Sequence, residues 1–409
     1  MARNIILSYL FLFLVVITLL LLATHPAYYP HLQTDVFVFY QRTSFFISNF
    51  YLTNLTGNEY PPGAMLFFIL TSPLLLINNS FETYKLVLFI ANFILIFFLS
   101  VIYIKFTKAE NIIIFAIILL FTGPIIFFRF DLLVVALVAL SFYLWKEKKT
   151  ALSLFLLSFA TLIKVYPIIF IPYLLILSYK NNGLNQIVKN FLIYLLGIIF
   201  LVSLYLFIFQ ADIKNLYYSL NYHTLKPIGL ESVWATIIML ITYFKNGTNF
   251  QIITSEGIWG ISSNLQIAPL WLYNYIWIVP LALLHLWFIK KINNKLLNFD
   301  IKFCLINILL FLLFSKVIAP QYILWFSLLL PLVDIKNLIF KTEWIINLFL
   351  ILLIVFLYQY IYPLNYSEWL NMFKLNMGIA PLFLINALRN FLLVLLAVRL
   401  FNQLKSAYA

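Results

Sequence analysis

Residues 34–51 read TDVFVFYQRTSFFISNFY. Wound as a helix, Val36, Phe37, Phe39, Tyr40, Phe46, Ile47, Phe50 and Tyr51 form a broad apolar side. Gln41, Arg42, Ser48 and Asn49 form the polar one. Asp35 and Arg42 then share a face about 10 Å apart. A helix of this kind lies in the plane of a bilayer surface and does not cross it. It sits inside a polar interval, residues 24–63, that parts the first two apolar blocks and closes on Glu59-Tyr60-Pro61-Pro62. The spacing places a carboxylate, Asp35, at the start of the amphipathic helix, where it can meet a lipid headgroup.

Outside that interval the chain is oily. Hydrophobic residues make up 65% of its 409 positions, aromatic residues 19% and charged residues only 10%, a composition that excludes a soluble domain and points to a polytopic membrane protein. The net charge of +13 does not form a nucleic-acid stripe. Its lysines lie in short clusters between apolar blocks, at Lys146, Lys148 and Lys149, at Lys290, Lys291 and Lys295, and at Lys336 and Lys341. That is the pattern of cytoplasmic loops under the positive-inside rule, so no nucleic-acid partner is expected. The single cysteine, Cys304, excludes an internal disulfide. The run from Ile5 to Ala23 is long enough to span and is followed by the proline-bearing Ala23-Thr24-His25-Pro26-Ala27, which reads as an uncleaved first helix and not a signal peptide.

Residues 1–409 therefore read as one all-α integral membrane domain of about 11–13 spans. Several spans are broken. Ala64–Ile77 is short and contains Pro73, the run from Ala151 to Ser178 is interrupted at Lys164-Val165-Tyr166-Pro167, and Ile301–Phe314 runs into Ser315-Lys316 and then Pro320-Gln321-Tyr322. With the lysine clusters inside, residues 211–266 form a second outer loop, and the turns at Arg129–Asp131, Lys164–Pro167 and Ser315–Gln321 face outward with Asp35. Lys105 and Lys108 also belong inside, which requires Ala64–Ile77 to be re-entrant; a short span with an exception to the charge rule is the alternative.

Thirteen carboxylates make elimination practicable. Glu147, Asp300, Asp334 and Glu343 lie beside cytoplasmic lysines, and Glu82 and Glu110 flank spans, leaving Asp35, Glu59, Asp131, Asp212, Glu231, Glu256 and Glu368 on the outer side. Asp35 reads either as a helix-start charge favoured by the dipole or as a general base for an acceptor hydroxyl. Glu59, stiffened by two prolines, either orients a sugar or ends the loop. Arg129, Lys164 and Lys316 are cations set in apolar sequence, where charge is costly, and three converging cations suit a phosphate. Snorkelling, or a local pair of Arg129 with Asp131, stays open beside that reading. His223 reads as a solvated loop histidine or a catalytic one. Tyr60, Tyr166 and Tyr322 are interfacial aromatics by default, although sugar stacking uses the same residue types. Ten glycines and four histidines contain no GxGxxG, Walker-A or metal-spaced cluster, so neither a nucleotide-sugar domain nor a metal is expected.

Taken in order, the early outer-loop Asp35, Glu59-Tyr60-Pro61-Pro62, Arg129-Phe130-Asp131, Lys164-Val165-Tyr166-Pro167, Glu231-Ser232-Val233-Trp234 and Lys316 with Pro320-Gln321-Tyr322 and Trp325 resemble the glycosyltransferase-C superfamily. The match is nearest to glycosyltransferase family 87, the polyprenyl-phosphate-mannose-dependent mannosyltransferases. The resemblance implies a multi-pass helical fold with an outer-face active site and Asp35 as base. It also implies a polyprenyl-phosphate hexose donor, mannose above all, a lipid- or glycan-linked acceptor and transfer with inversion; with three cations supplying the charge a divalent ion would, no cofactor is expected, although some relatives with different loops use a metal. Arg129, Lys164 and Lys316 would then hold the donor phosphate, and Arg42, Glu59, Tyr60, Asp131, Tyr166, His223, Glu231, Gln321 and Tyr322 the substrates. It favours the plasma membrane of a prokaryote over the endoplasmic reticulum. A secondary transporter would explain broken helices and intramembrane cations, but it predicts two similar halves, which the sequence lacks. A lipid-linked sugar flippase, or a polysaccharide polymerase or ligase, would share a lipid-phosphate site.

Overall fold

The computed structural model describes residues 2–49, 59–107, 110–246, 250–255, 257–263, 269–291, 299–333, 342–374 and 381–408. Phe50 and Tyr51 of the expected helix, Glu256, and Lys108, Lys295, Lys336 and Lys341 lie outside them. Helix dominates, as the composition requires: with no water in the hydrocarbon, a spanning segment must satisfy its own backbone. Among the described residues six helices are long and apolar enough to cross a membrane, and five shorter apolar helices accompany them. The protein is a multi-pass integral membrane protein. Its chain divides into two compact units, residues 1–221 with 294–301 and 328–334, and residues 222–293 with 302–327 and 335–409.

The first unit holds α1 (Ala2–Ala23), α2 (Tyr29–Asn49), α3 (Pro62–Leu70), α4 (Phe81–Phe106), α5 (Glu110–Thr122), α6 (Asp131–Lys146), α7 (Thr150–Ile163), α8 (Ile171–Asn182) and α9 (Leu184–Ser203). The amphipathic helix exists, but α2 starts five residues before Thr34 and buries a narrower stripe, Leu32, Val36, Phe39 and Thr43. Its start lies at Tyr29, so Asp35 sits in the second turn and the helix-start reading of that carboxylate is corrected. Phe37, expected on the apolar side, is exposed. Phe39 explains the stripe: its ring stacks on Phe68 at 5.0 Å and meets Tyr60 and Phe130 edge-on at 5.6 and 5.2 Å.

At nine residues, α3 is about 14 Å long, half of what a bilayer core demands. It stops at Thr71, a 3₁₀ turn follows over Pro73–Leu76, and α4 begins behind the Ser80 cap, whose hydroxyl accepts from the Thr83 amide. Helix α3 is seated by Gly63. A Cβ there would come within 2.8 Å of the Ile163 nitrogen and the Leu162 carbonyl carbon, backbone atoms that cannot swing aside. Gly63→Ala should therefore push α3 off the end of α7 and cost about 1–3 kcal/mol, read as a lower melting midpoint of the detergent-solubilised protein.

Two of the helix breaks are serviced by buried polar side chains, as a dry environment requires. Asn92 on α4 donates to the carbonyls of Phe127 and Arg129, at 3.2 and 3.1 Å, where α5 has given way to a 3₁₀ turn. Tyr103 and Asn111 donate to the carbonyls of Leu328 and Pro331 beside another such turn. The interruption between α7 and α8 falls at Lys164, whose backbone is extended, two residues before Tyr166, which belongs to the following 3₁₀ turn.

In the second unit, α10 (Ile213–Leu225) brings the chain in from the first, and β1 (Ile228–Gly229), α11 (Val233–Asn246), β2 (Phe250–Ser255) and β3 (Ile258–Ser263) follow. The strands form an antiparallel sheet ordered β1-β3-β2, with Ile228 opposite Ile261 and Ser255 opposite Ile258. Gly257, at φ +69°, turns the hairpin. This small sheet was not foreseen. Next come α12 (Leu270–Tyr275), α13 (Ile278–Lys291), α14 (Ile301–Phe314), α15 (Ile323–Ser327), α16 (Thr342–Gln359), α17 (Tyr366–Lys374) and α18 (Pro381–Ala407). Leu230, Ala235, Met239, Ile361, Phe383 and the fully buried Trp369 of α17 share one core beneath the sheet.

Candidate active site

In the first unit the turn between α5 and α6 meets α2, the turn between α7 and α8 meets the start of α6, and the segment entering α3 meets α2, each through an ion pair. Arg129 donates from Nη2 to Oδ2 of Asp35 at 2.9 Å, and its Nη1 reaches the carbonyls of Leu32 and Phe128 at 3.3 and 3.2 Å. The guanidinium is 4% exposed and the carboxylate 42%. A buried fork thus holds an accessible acid by one oxygen, which fixes its direction at little entropic cost.

Lys164 pairs with Asp131, its Nζ lying 3.0 Å from each carboxylate oxygen. Asp131 is completely buried in the first turn of α6, where the helix dipole also favours it. The ammonium sits 4.8 Å over the Phe130 ring. Arg42 pairs with Glu59 at 2.9 Å and so ties α2 to the segment entering α3. The pairing is crossed relative to the simplest sequence expectation: Arg129 takes Asp35 instead of its neighbour Asp131, and Asp35 and Arg42, although on one helix, have separate partners.

Tyr60 packs edge-on against Phe39, Phe68 and Phe130. Tyr166 is buried, and burial together with the nearby Asp131 charge holds its hydroxyl well above the usual phenol range. The charges over these three pairs sum to zero. Any anion arriving here must compete with a carboxylate already in place.

The remaining expected site residues belong to the second unit. Lys316 is buried and donates to the carbonyls of Thr224 and Lys226 at 2.9 and 2.6 Å, at the end of α10. It thereby satisfies carbonyls that a helix C-terminus leaves open. Burial lowers its ammonium to about 8. Tyr322 stacks on Trp325 at 3.8 Å, and Gln321 precedes it in the same 3₁₀ turn. His223 is exposed in the last turn of α10, its ring 5.7 Å from that of Tyr222.

Glu231 is buried between β1 and α11, and burial pushes its carboxyl up to about 7 against the lowering pull of Arg389. A carboxyl that holds its proton more tightly folded than unfolded favours folding at low pH. That contribution is complete below pH 4.5 and is lost as pH rises through 7. Stability between those values should fall with rising pH by at most about 3–4 kcal/mol, read as a declining melting midpoint, and Glu231→Gln should flatten the slope.

Reading the last apolar block, residues 379–401, as a plain span overlooked Arg389. Its signal was available: Asn386, Arg389 and Asn390 recur at helical spacing within an otherwise apolar run. Among the described residues no group of three or more His, Cys, Asp or Glu side chains is placed to hold a metal ion.

A comparison with curated proteins returns no match. The family model described as glycosyltransferase family 87 matches residues 58–316, which is more than half of the chain. The match takes in Glu59, Tyr60, Arg129, Asp131, Lys164, Tyr166, His223, Glu231 and Lys316, while Asp35 and Arg42 precede it and Gln321 and Tyr322 follow it. Two of the three ion pairs, Asp35–Arg129 and Arg42–Glu59, therefore join the matched segment to a helix outside it. A multi-pass helical chain with this match is a membrane glycosyltransferase and belongs to glycosyltransferase family 87.

Proposed function

We propose that the protein moves a hexose, mannose in the first instance, from a polyprenyl phosphate to a hydroxyl of a lipid- or glycan-linked acceptor, with inversion, at the outer face of a prokaryotic plasma membrane. Asp35 is the general base and Arg129 the principal phosphate partner. The observation that carries this reading is the Asp35–Arg129 pair, an accessible carboxylate held by a buried guanidinium on a helix that fronts the first loop.

The charges exchange partners as the reaction proceeds. The acceptor oxygen attacks the anomeric carbon while its proton passes to Asp35, and the bond from that carbon to the phosphate oxygen breaks. The donor enters as a singly charged phosphodiester and leaves as a polyprenyl phosphate that gains one negative charge. Once Asp35 is protonated it no longer neutralises Arg129, and the guanidinium becomes available to the leaving group when the charge develops. Lys164 remains on Asp131 and reaches the leaving group only as the positive end of a neutral pair. This route draws its charge stabilisation from side chains and calls for no metal. Glu59, held by Arg42, and Tyr60 stand on the loop side of the same cluster, where sugar hydroxyls would lie.

Purified full-length protein incubated with radiolabelled polyprenyl-phosphate-mannose and a membrane lipid extract should yield a labelled product that survives mild acid, which cleaves the donor. Label that stays on the donor, or that crosses vesicles without being transferred, would overturn the proposal and favour a transporter or flippase.

A further inference from the structure

Helix α18 carries a second arginine, Arg399, inside the run Val394-Leu395-Leu396-Ala397-Val398-Arg399-Leu400. At helical rise it lies about 27 Å from the helix start at Pro381 and about 12 Å from the end at Ala407. A hydrocarbon core is about 30 Å thick, so Arg399 stands where acyl chains give way to phosphates. The side of the bilayer follows from the lysines. Lys290 and Lys291 end α13, Lys405 sits in the last turn of α18, and the positive-inside rule gives such ends to the cytoplasm. The rings of Trp287 and Phe401, 5.0 Å apart, and of Phe288 and Tyr408, 5.5 Å apart, hold the two ends together.

A lone arginine at this depth ordinarily snorkels, its guanidinium solvated and free to move. Arg399 is instead tied from inside the protein. Its Nε donates to Oδ1 of Asn347 on α16 at 3.2 Å, and Nδ2 of Asn347 donates to Oε1 of Gln403 at 3.0 Å. Asn347 is completely buried, and Gln403 stands one turn beyond Arg399, so the three side chains close a ring between α16 and α18.

The ring uses Nε and leaves both Nη groups, the fork that matches a phosphate, with no partner among the described residues. Arg399 is half-buried and has no carboxylate partner among those residues, although Glu343 stands one turn before Asn347 on α16. Fixing a long side chain costs rotamer freedom that a solvated cation keeps. A bidentate anion at a fixed place offsets that cost. Towards the bilayer centre α18 is apolar and exposed at Val398, Val394 and Phe391, a stripe at one-turn spacing on which an acyl chain can lie.

We propose that Arg399 binds the headgroup phosphate of an anionic phospholipid in the cytoplasmic leaflet. Asn347 and Gln403 are its positioning residues, and Lys290, Lys291 and Lys405 supply the surrounding positive field. A zwitterionic lipid offers the same phosphate together with an ammonium that those lysines repel. The site lies wholly within the second unit and is independent of the transfer chemistry.

The test uses full-length protein, delipidated in dodecyl maltoside and titrated with phosphatidylglycerol or phosphatidylcholine, with bound lipid counted by native mass spectrometry. The first phosphatidylglycerol should bind the wild type about tenfold more tightly than phosphatidylcholine. Arg399→Lys keeps the charge and loses the fork, and should weaken phosphatidylglycerol about tenfold. Asn347→Ala keeps the arginine and removes its tether, and should weaken it about threefold. Lys405→Gln changes the net charge and not the ring, and should stay within about twofold.

Lipid-free melting midpoints report whether each variant still packs, and Arg399→Lys decides the matter should Asn347→Ala unfold. Equal affinity of the wild type for the two lipids would overturn the proposal. So would an Arg399→Lys protein that binds phosphatidylglycerol like the wild type, since diffuse surface charge behaves in that way. Glycerol 1-phosphate at millimolar concentration should leave the lipid in place; displacement would mark a site for soluble phosphates and overturn the lipid assignment.

Discussion

Asp35→Asn should abolish hexose transfer while leaving a folded protein. A positioned base contributes about 10²–10⁴-fold, so activity should drop by that factor, measured as initial rate with saturating donor. The fold should survive because Arg129 keeps the carbonyls of Leu32 and Phe128 as acceptors, and the asparagine oxygen can replace the carboxylate oxygen now at 2.9 Å. Asp35→Ala is the informative companion. It removes that acceptor altogether, and a buried guanidinium short of a partner should lower the melting midpoint as well as the rate. Near-normal turnover by the asparagine variant would remove Asp35 from the chemistry and leave the pair as a structural clasp between α2 and the α5–α6 turn.

Lys164→Met should cost the fold itself. Its partner Asp131 is completely buried, and removing one member of a buried pair strands the other charge at about 3–5 kcal/mol. Since total stabilities run to about 5–15 kcal/mol, much of the protein should fail to reach a monodisperse state in detergent. The double change Lys164→Met with Asp131→Leu removes both charges and should recover the folded yield, because apolar replacements of buried pairs are often neutral. Transfer by the recovered double variant then measures what Lys164 gives the leaving phosphate. A Lys164→Met protein of normal stability would show that Asp131 does not depend on this lysine.

The helical character and the broken spans were legible because both are local. Proline and lysine inside apolar runs mark the interruptions at Lys164 and Lys316, and the excess of apolar residues leaves no other fold class. Partner choice was not legible. Arg129 had a carboxylate two residues away in Asp131 and took one on another helix, because Asp131 begins α6 and faces Lys164 instead. No sequence spacing encodes that exchange. The bounds of α2 were misplaced for a related reason: Leu32 reads as loop until Phe68 and Phe130 are there to fix which stripe of the helix is covered. The β2–β3 hairpin escaped because its strands, Phe250–Ser255 and Ile258–Ser263, lie in a polar loop and are only six residues each. Arg389 escaped for the opposite reason, hidden by the length of its own apolar run.

The Asp131–Lys164 pair also bears on how the chain enters the bilayer. Each partner stands at the far end of its helix from the tight Glu147–Lys149 bend, and the two helices are already tied by the Ser141 hydroxyl, which donates to the Ser153 carbonyl at 2.9 Å. Delivered singly, α6 would carry a naked carboxylate into lipid and α7 an uncancelled ammonium, each at about 2.5–3.5 kcal/mol on translocon scales. Released together as a helical hairpin they are neutral. Biogenesis would then hold α6 at the lateral gate until α7 has left the ribosome.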